Sequence, residues 1–260
     1  MQSVPGPRTK KLPFHDFIDW MAPVGRAAKL LFNSLSLESI KGINWGELRY
    51  HCKWMGLDSF HFIAVSSLLI SVALTIQCVV ELQKYQAADI SGAAISIGLL
   101  RELGPLTISV AWCARVGARI SEEARNQRSR FDNDRDFARH FLPVRATAAL
   151  FMSIPLGAYG LAVGFFTPPL YAPVSGGNSF IDFVEAGLIA GHHKDIFVYF
   201  FKLIAINPLV GVFAGCASGL AARDSDMPVA AKAVTFTFLA CYGLNLLITM
   251  AAFIEGTPHL

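Results

Sequence analysis

The chain has 260 residues, 53% of them apolar and only 16% charged, with a formal net charge of +3. A soluble domain of this size usually carries about a quarter charged residues. Here the charges collect between long windows that have almost none, which excludes a soluble globular fold. There is no nucleotide-binding loop, HExxH zinc pattern or GxSxG elbow, so the chain reads as a non-enzyme with no nucleic-acid partner and no cofactor.

In chain order, residues 1–11 read as a disordered basic tail, and residues 12–58 as an amphipathic, interfacial region. Within it Phe14, Phe17, Ile18, Met21, Val24, Ala28, Leu31 and Phe32 recur at helical spacing, with Trp20, Arg26 and Lys29 suited to a helix lying in the membrane plane. No clean apolar run or cleavage site marks a signal peptide. A bilayer core needs roughly 20 apolar helical residues to cross it, and the windows 59–80, 146–170, 203–222 and 233–254 meet that length. A fifth window, 90–118, meets it only if Arg101, Glu102 and Arg115 are tolerated. The expectation is an all-α membrane protein: an N-terminal interfacial helix and a domain over 59–256 with five transmembrane helices.

Lysine and arginine fall unevenly on the two sides of those spans. Residues 1–58, 119–145 and 223–232 together hold seventeen, whereas the 83–89 and 169–195 segments hold only Lys84 and Lys194. The positive-inside rule puts the N-terminus in the cytoplasm and, after five spans, the C-terminus outside. The charged segment at about 119–145 becomes a cytoplasmic loop. The Pro- and Gly-containing segment at about 168–194 becomes an external loop with a short helix. His192 and His193 are adjacent and point apart on a helix, so no metal site is expected. The five cysteines share no metal or redox spacing and act as small hydrophobes. Ser66, Ser67 and His61 do not form a catalytic set at membrane depth, and Glu122 and Glu123 fall in the charged loop.

Three ionisable residues stand where they should not. Arg101 and Glu102 lie inside "LLRELGPL", and Lys202 inside "VYFFKLIAI". Such groups cost several kcal/mol at bilayer depth and persist when they find partners in a protein interior or wet cavity. A buried cluster of Arg101, Glu102 and Lys202 would leave spare positive charge for an anionic headgroup. Two plainer readings stay open. Lys202 could snorkel to the interface, and Gly104 with Pro105 could break the window so that Arg101 and Glu102 sit at a helix end. Neighbours in sequence, Arg101 and Glu102 cannot both face one partner squarely. Arg115 and Arg119 share one face near the cytoplasmic end, where cations suit a helix C-terminus. Glycines at 157, 160 and 164, and at 211, 215 and 219, suit close helix packing within the subunit or between subunits.

"LLRELGPL" followed by "ARVGARI" resembles the MlaE (YrbE) family, permease subunits of lipid ABC transporters that work with MCE proteins. The family pattern has R-E-L-G-P and, about ten residues on, G/A-R-x-G; these match residues 101–105 and 114–117. Gln77, Lys202, "VFAGCASGLAA" and Asn245 match as well, so the resemblance covers roughly 45–254. It implies a bacterial inner-membrane permease that pairs with a second permease subunit around a lipid cavity. Its implied partners are a cytoplasmic ABC ATPase subunit (MlaF-like) and a periplasmic MCE-domain protein (MlaD-like). Carried over by position, Leu74, Leu82, Tyr85, Glu102 and Leu103 would line the cavity, with Arg101 and Lys202 beside it.

One departure stands out. The family carries a coupling helix with a T-E-Q-I-D-A-L pattern after the G/A-R-x-G motif, whereas this chain reads "SEEARNQRSRFDNDRDFARHFLP". That segment is shorter by about seven residues, close to two helical turns. Glu122, Glu123, Arg125 and Arg128 are its candidate ATPase-coupling residues. Either the ATPase contact is redesigned, or this is the less-coupled member of a heteromeric pair, or coupling is lost. The alternatives to a lipid permease are a stand-alone secondary transporter or channel that uses the charged residues as an ion path, and a non-transporting membrane anchor for an MCE complex.

Overall fold

The computed structural model describes residues 13–34, 43–173, 179–221 and 228–253. The tail at 1–11 and the chain end beyond 253 lie outside them, as do the side chains of Phe14, Phe17, Ile18, Trp20 and Met21. The described residues are helical throughout, with no strand among them. Helix α1 spans Pro13–Ser34 and α2 Trp45–Met55; a 3-10 turn, Leu57–Ser59, leads into α3, Phe60–Lys84. Next come α4, Ser91–Gly98, a π-helical turn at Leu99–Leu103, and α5, Gly104–Gln127. Helix α6 runs Asp134–Tyr171, α7 Phe180–Ala190 and α8 His193–Ile206. A second π turn, Asn207–Ala214, joins α8 to α9, Gly215–Ala221, and α10 is Val229–Phe253.

Among the described residues, five stretches are long and apolar enough to cross a membrane: Trp45–Lys84, Ala88–Arg130, Asp134–Tyr171, His193–Ala221 and Val229–Phe253. Each matches one of the windows expected from composition, the fourth and fifth ending one residue short of theirs. Both π turns sit at a proline, Pro105 and Pro208, which lacks the N–H that a regular helix needs and crowds the preceding turn. A wider turn absorbs that clash while the helix continues. Pro105 therefore does not split the second span.

The segment at 119–145 is not a loop. Helix α5 runs through it to Gln127, α6 starts at Asp134, and only residues 131–133 lie between the 3-10 turn Arg128–Arg130 and α6. The charges had hidden an amphipathic pattern: Ile120, Ala124, Phe137, Ala138, Phe141 and Leu142 are buried while most of the charged residues face outward, with Arg145 buried and Glu123 half-buried as its partner. The product is a tight elbow between two long helices.

The core is centred on α5, which packs along α10, α9 and α3. Association in lipid gains little from apolar burial and relies on close contact between small residues. A Cβ on Gly215 would lie 2.9 Å from Gly117 Cα, and one on Gly219 would lie 2.2 Å from the Ser121 carbonyl oxygen. The glycine stripe at 211, 215 and 219 therefore meets α5 of the same chain, and Gly117 of the G/A-R-x-G motif receives it. Gly157 and Gly160 likewise abut Leu203 and Ile108.

Candidate functional site

The site grows from the π turn. A helical carbonyl at position 101 would take its hydrogen bond from the N–H of residue 105, and Pro105 has none. Lys202 Nζ donates to that Arg101 carbonyl instead. The same ammonium donates to Thr249 Oγ1 at 2.6 Å and lies 3.4 Å from Glu102 Oε1. Asn245 Nδ2 donates to Glu102 Oε2 at 2.6 Å, and the Thr249 hydroxyl also meets the Glu102 carboxylate. Asn245 and Thr249 are four residues apart, on one face of α10. Lys202 is fully buried, so it does not snorkel to water.

Arg101 turns the other way. Its Nε donates to Asp195 Oδ1 at 2.8 Å and its Nη2 to Asp195 Oδ2 at 3.3 Å, a two-pronged pair that suits a planar guanidinium. Asp195 is buried and also accepts from the His192 N–H at 3.3 Å, which caps the start of α8. Asp195 and Lys202 are seven residues apart, two turns along one face of α8. Adjacent on the π turn, Arg101 and Glu102 thus reach two partners on a single helix.

Of the expected trio, Glu102 and Lys202 pair directly, whereas the Arg101 side chain turns to Asp195 and only its carbonyl meets Lys202; the charge balance also differs from the expectation. Asp195, absent from the sequence-derived set, adds a second negative charge. Two cations and two anions cancel, so the cluster holds no spare positive charge for a headgroup. Sequence reasoning missed Asp195 and Thr249; their offsets from Lys202 and Asn245 were the available signal. The Arg101 and Glu102 side chains are each 39% exposed. Both reach the outside of the chain, while Asp195 and Lys202 back them from within.

The proposed cavity residues are spread out. Leu74 and Leu103 pack against a small cluster of Val79, Ile95, Leu99 and Phe183. Leu82 is half-buried near the end of α3, and Tyr85, just beyond it, is 78% exposed.

The coupling residues separate at the elbow. Glu122 and Arg125 are exposed. Glu123 is held inward, accepting from Arg145 Nη2 at 3.1 Å and Arg119 Nε at 3.2 Å. Arg128 is tied to Asp134 at 2.7 Å. Arg115 of the motif donates to Ser59 Oγ in the turn after α2, and Arg119 secures α2 itself, donating to the Tyr50 hydroxyl at 3.1 Å and stacking over Trp54.

Residues 48–128 match the family described as Permease MlaE. This stretch is similar to MlaE permeases. It takes in the π turn with Arg101 and Glu102, the whole of α5, and Arg115 and Gly117. The intermembrane phospholipid transport system permease protein MlaE of Haemophilus influenzae is 29% identical over 106 residues, an alignment covering 41% of this chain and 41% of that protein. Asp195, Lys202, Asn245 and Thr249, which complete the charged network, lie outside the matched segment.

Proposed function

We propose that this chain is the transmembrane permease subunit of an ABC transporter that moves phospholipid, or a related hydrophobic substrate, between the bacterial inner membrane and a periplasmic MCE-domain protein. ATP hydrolysis belongs to a separate cytoplasmic subunit, and this polypeptide does no covalent chemistry. The observation that carries the reading is the partial outward exposure of Arg101 and Glu102, within the second apolar stretch, from a charge-neutral network. Ionised groups at bilayer depth need cover from protein or from a wet cavity. A second permease subunit facing them would supply it and enclose a chamber, with Leu74, Leu82, Tyr85 and Leu103 contributing apolar wall. Each methylene buried there gains about 0.8 kcal/mol, so acyl chains bind without specific contacts.

In this reading α1 lies in the cytoplasmic interface, the N-terminus is cytoplasmic and the C-terminus periplasmic. The ATPase docks at the α5–α6 elbow, where Glu122 and Arg125 are exposed. Helix α5 then acts as a lever of about 36 Å, at 1.5 Å per residue, from the elbow to the π turn. Rotation of that lever shifts Arg101 and Glu102 and narrows the chamber, which expels the lipid.

The test is reconstitution of the chain with its ATPase and MCE partners in liposomes holding labelled phospholipid. ATP-dependent transfer that Glu102→Lys abolishes, with the complex still assembled, supports the reading. Transfer driven by an ion gradient without ATPase, or unchanged by the substitution, overturns it.

A further inference from the structure

At the far end of α5, a recess of about 340 Å³ opens between α1, α5 and the tip of α9. Helix α1 contributes Arg26, Lys29 and Asn33, whose spacing of three and four places them on one face, with Leu30 beside them buried in the core. Arg125 enters from the last turn of α5, and Arg128 from the turn that follows. Gly219 and Leu220 form the α9 wall.

The electrostatics are one-sided. Asp134 is the acidic residue of the lining, and Arg128 occupies it through Nε at 3.0 Å and Nη2 at 2.7 Å. The remaining Arg128 nitrogen, Nη1, donates to the Phe131 carbonyl at 2.6 Å. Arg26, Lys29 and Arg125 have no ion-pair partner among the described residues. Three cations with no ion-pair partner among the described residues, gathered around one recess, repel each other unless an anion joins them. The outer side of α1 exposes Val24 and Phe32. A helix with such side chains beside basic residues lies in the membrane interface, at the depth of lipid phosphates.

We propose that this recess holds the phosphate of an anionic phospholipid headgroup, with Arg26, Lys29 and Arg125 as its cationic grip and Asn33 as a neutral donor. A soluble phosphate offers the same chemistry; the exposed apolar side of α1, which acyl chains would cover, favours the lipid. The bound headgroup would clamp α1 to the elbow. This site shares Arg125 with the proposed ATPase contact but otherwise does not rest on the transport reading, since a lipid held here is structural.

The full-length protein in phosphatidylcholine nanodiscs, doped with labelled phosphatidylglycerol, tests the assignment by native mass spectrometry. Each cation near the surface contributes about five-fold in affinity, so the triple variant Arg26→Gln, Lys29→Gln, Arg125→Gln should retain phosphatidylglycerol roughly 100-fold less well. Arg125→Lys should keep it. So should the double variant Arg130→Gln, Arg135→Gln, which removes exposed charge at the same end but outside the recess. The three single variants, at exposed positions, carry the same reading should the triple variant fail to fold. Equal loss from the Arg130 and Arg135 variant overturns the site. Equal retention of phosphatidylcholine does so too, as does displacement by inorganic phosphate at the lipid's own concentration. Loss of ATPase capture by Arg125→Gln with lipid retention unchanged would assign the recess to the ATPase and overturn the proposal.

Discussion

Lys202 Nζ donates to the main-chain carbonyl of Arg101, the carbonyl whose ordinary helical donor is lost at Pro105. One buried ammonium thus repairs the backbone at a π turn and also reaches the Glu102 carboxylate. The irregular backbone and the ionisable side chains are therefore one feature. The proline makes the free acceptor, and the lysine fills it.

Lys202→Met should be strongly destabilising, because it leaves both a carbonyl and Glu102 without their cation. Removing one partner of a buried pair costs about 3–5 kcal/mol; the partial exposure of Glu102 moves the expectation toward the lower end. Adding Glu102→Gln should recover part of the thermal stability and none of the lipid transfer. Thermal unfolding of the purified protein, beside a transfer assay, separates the two effects.

Asp195→Asn keeps a hydrogen-bond acceptor for the N-terminus of α8 but removes the charge opposite Arg101. The expected cost is about 1–3 kcal/mol, with lipid transfer reduced because Arg101 is no longer held in place. Asp195→Leu should cost more, since the helix cap is lost as well. Equal unfolding temperatures for both variants would show that the charge, and not the cap, matters there.

Gly215→Leu should push α9 away from α5, because a Cβ there would already lie within 2.9 Å of Gly117 Cα. Overpacking of this kind costs about 1–3 kcal/mol. Gly243→Leu, at a helical glycine with nothing within 4 Å, is the matched control and should be neutral or mildly stabilising, since glycine costs about 0.5–1 kcal/mol in a helix interior. The yield of monodisperse protein in detergent reads the contrast directly.

At the elbow, Glu122→Lys and Glu123→Lys should part company. Glu122 is exposed, so its reversal should weaken ATPase capture and leave folding intact. Glu123 bridges Arg119 and Arg145, so its reversal should set three cations against each other and lower the unfolding temperature. A pull-down paired with a melting curve distinguishes them.

A tag at the C-terminus should be reachable only from the periplasmic side. Labelling of intact cells against permeabilised cells checks this, and cytoplasmic labelling would reverse the proposed orientation.

The five spans were legible from composition, because a bilayer demands a fixed length of uncharged helix and the windows around 59–80 and 233–254 offer it without ambiguity. The RELGP block marked Arg101 and Glu102 as out of place, since charge in an apolar run needs an explanation wherever it occurs. Sequence order could not show that Asp195 would stand opposite Arg101, 94 residues away. Nor could it show that the glycines at 211, 215 and 219 would face α5 and not a second subunit. The elbow was misread for a related reason: dense charge looks like a loop until the buried side, Ile120, Ala124 and Phe141, is seen to have a neighbour. Composition and periodicity are properties of a single segment, so the chain by itself determined its membrane class and its misplaced charges. Which charge neutralises which depends on helices meeting across space, and only the tertiary packing decided that.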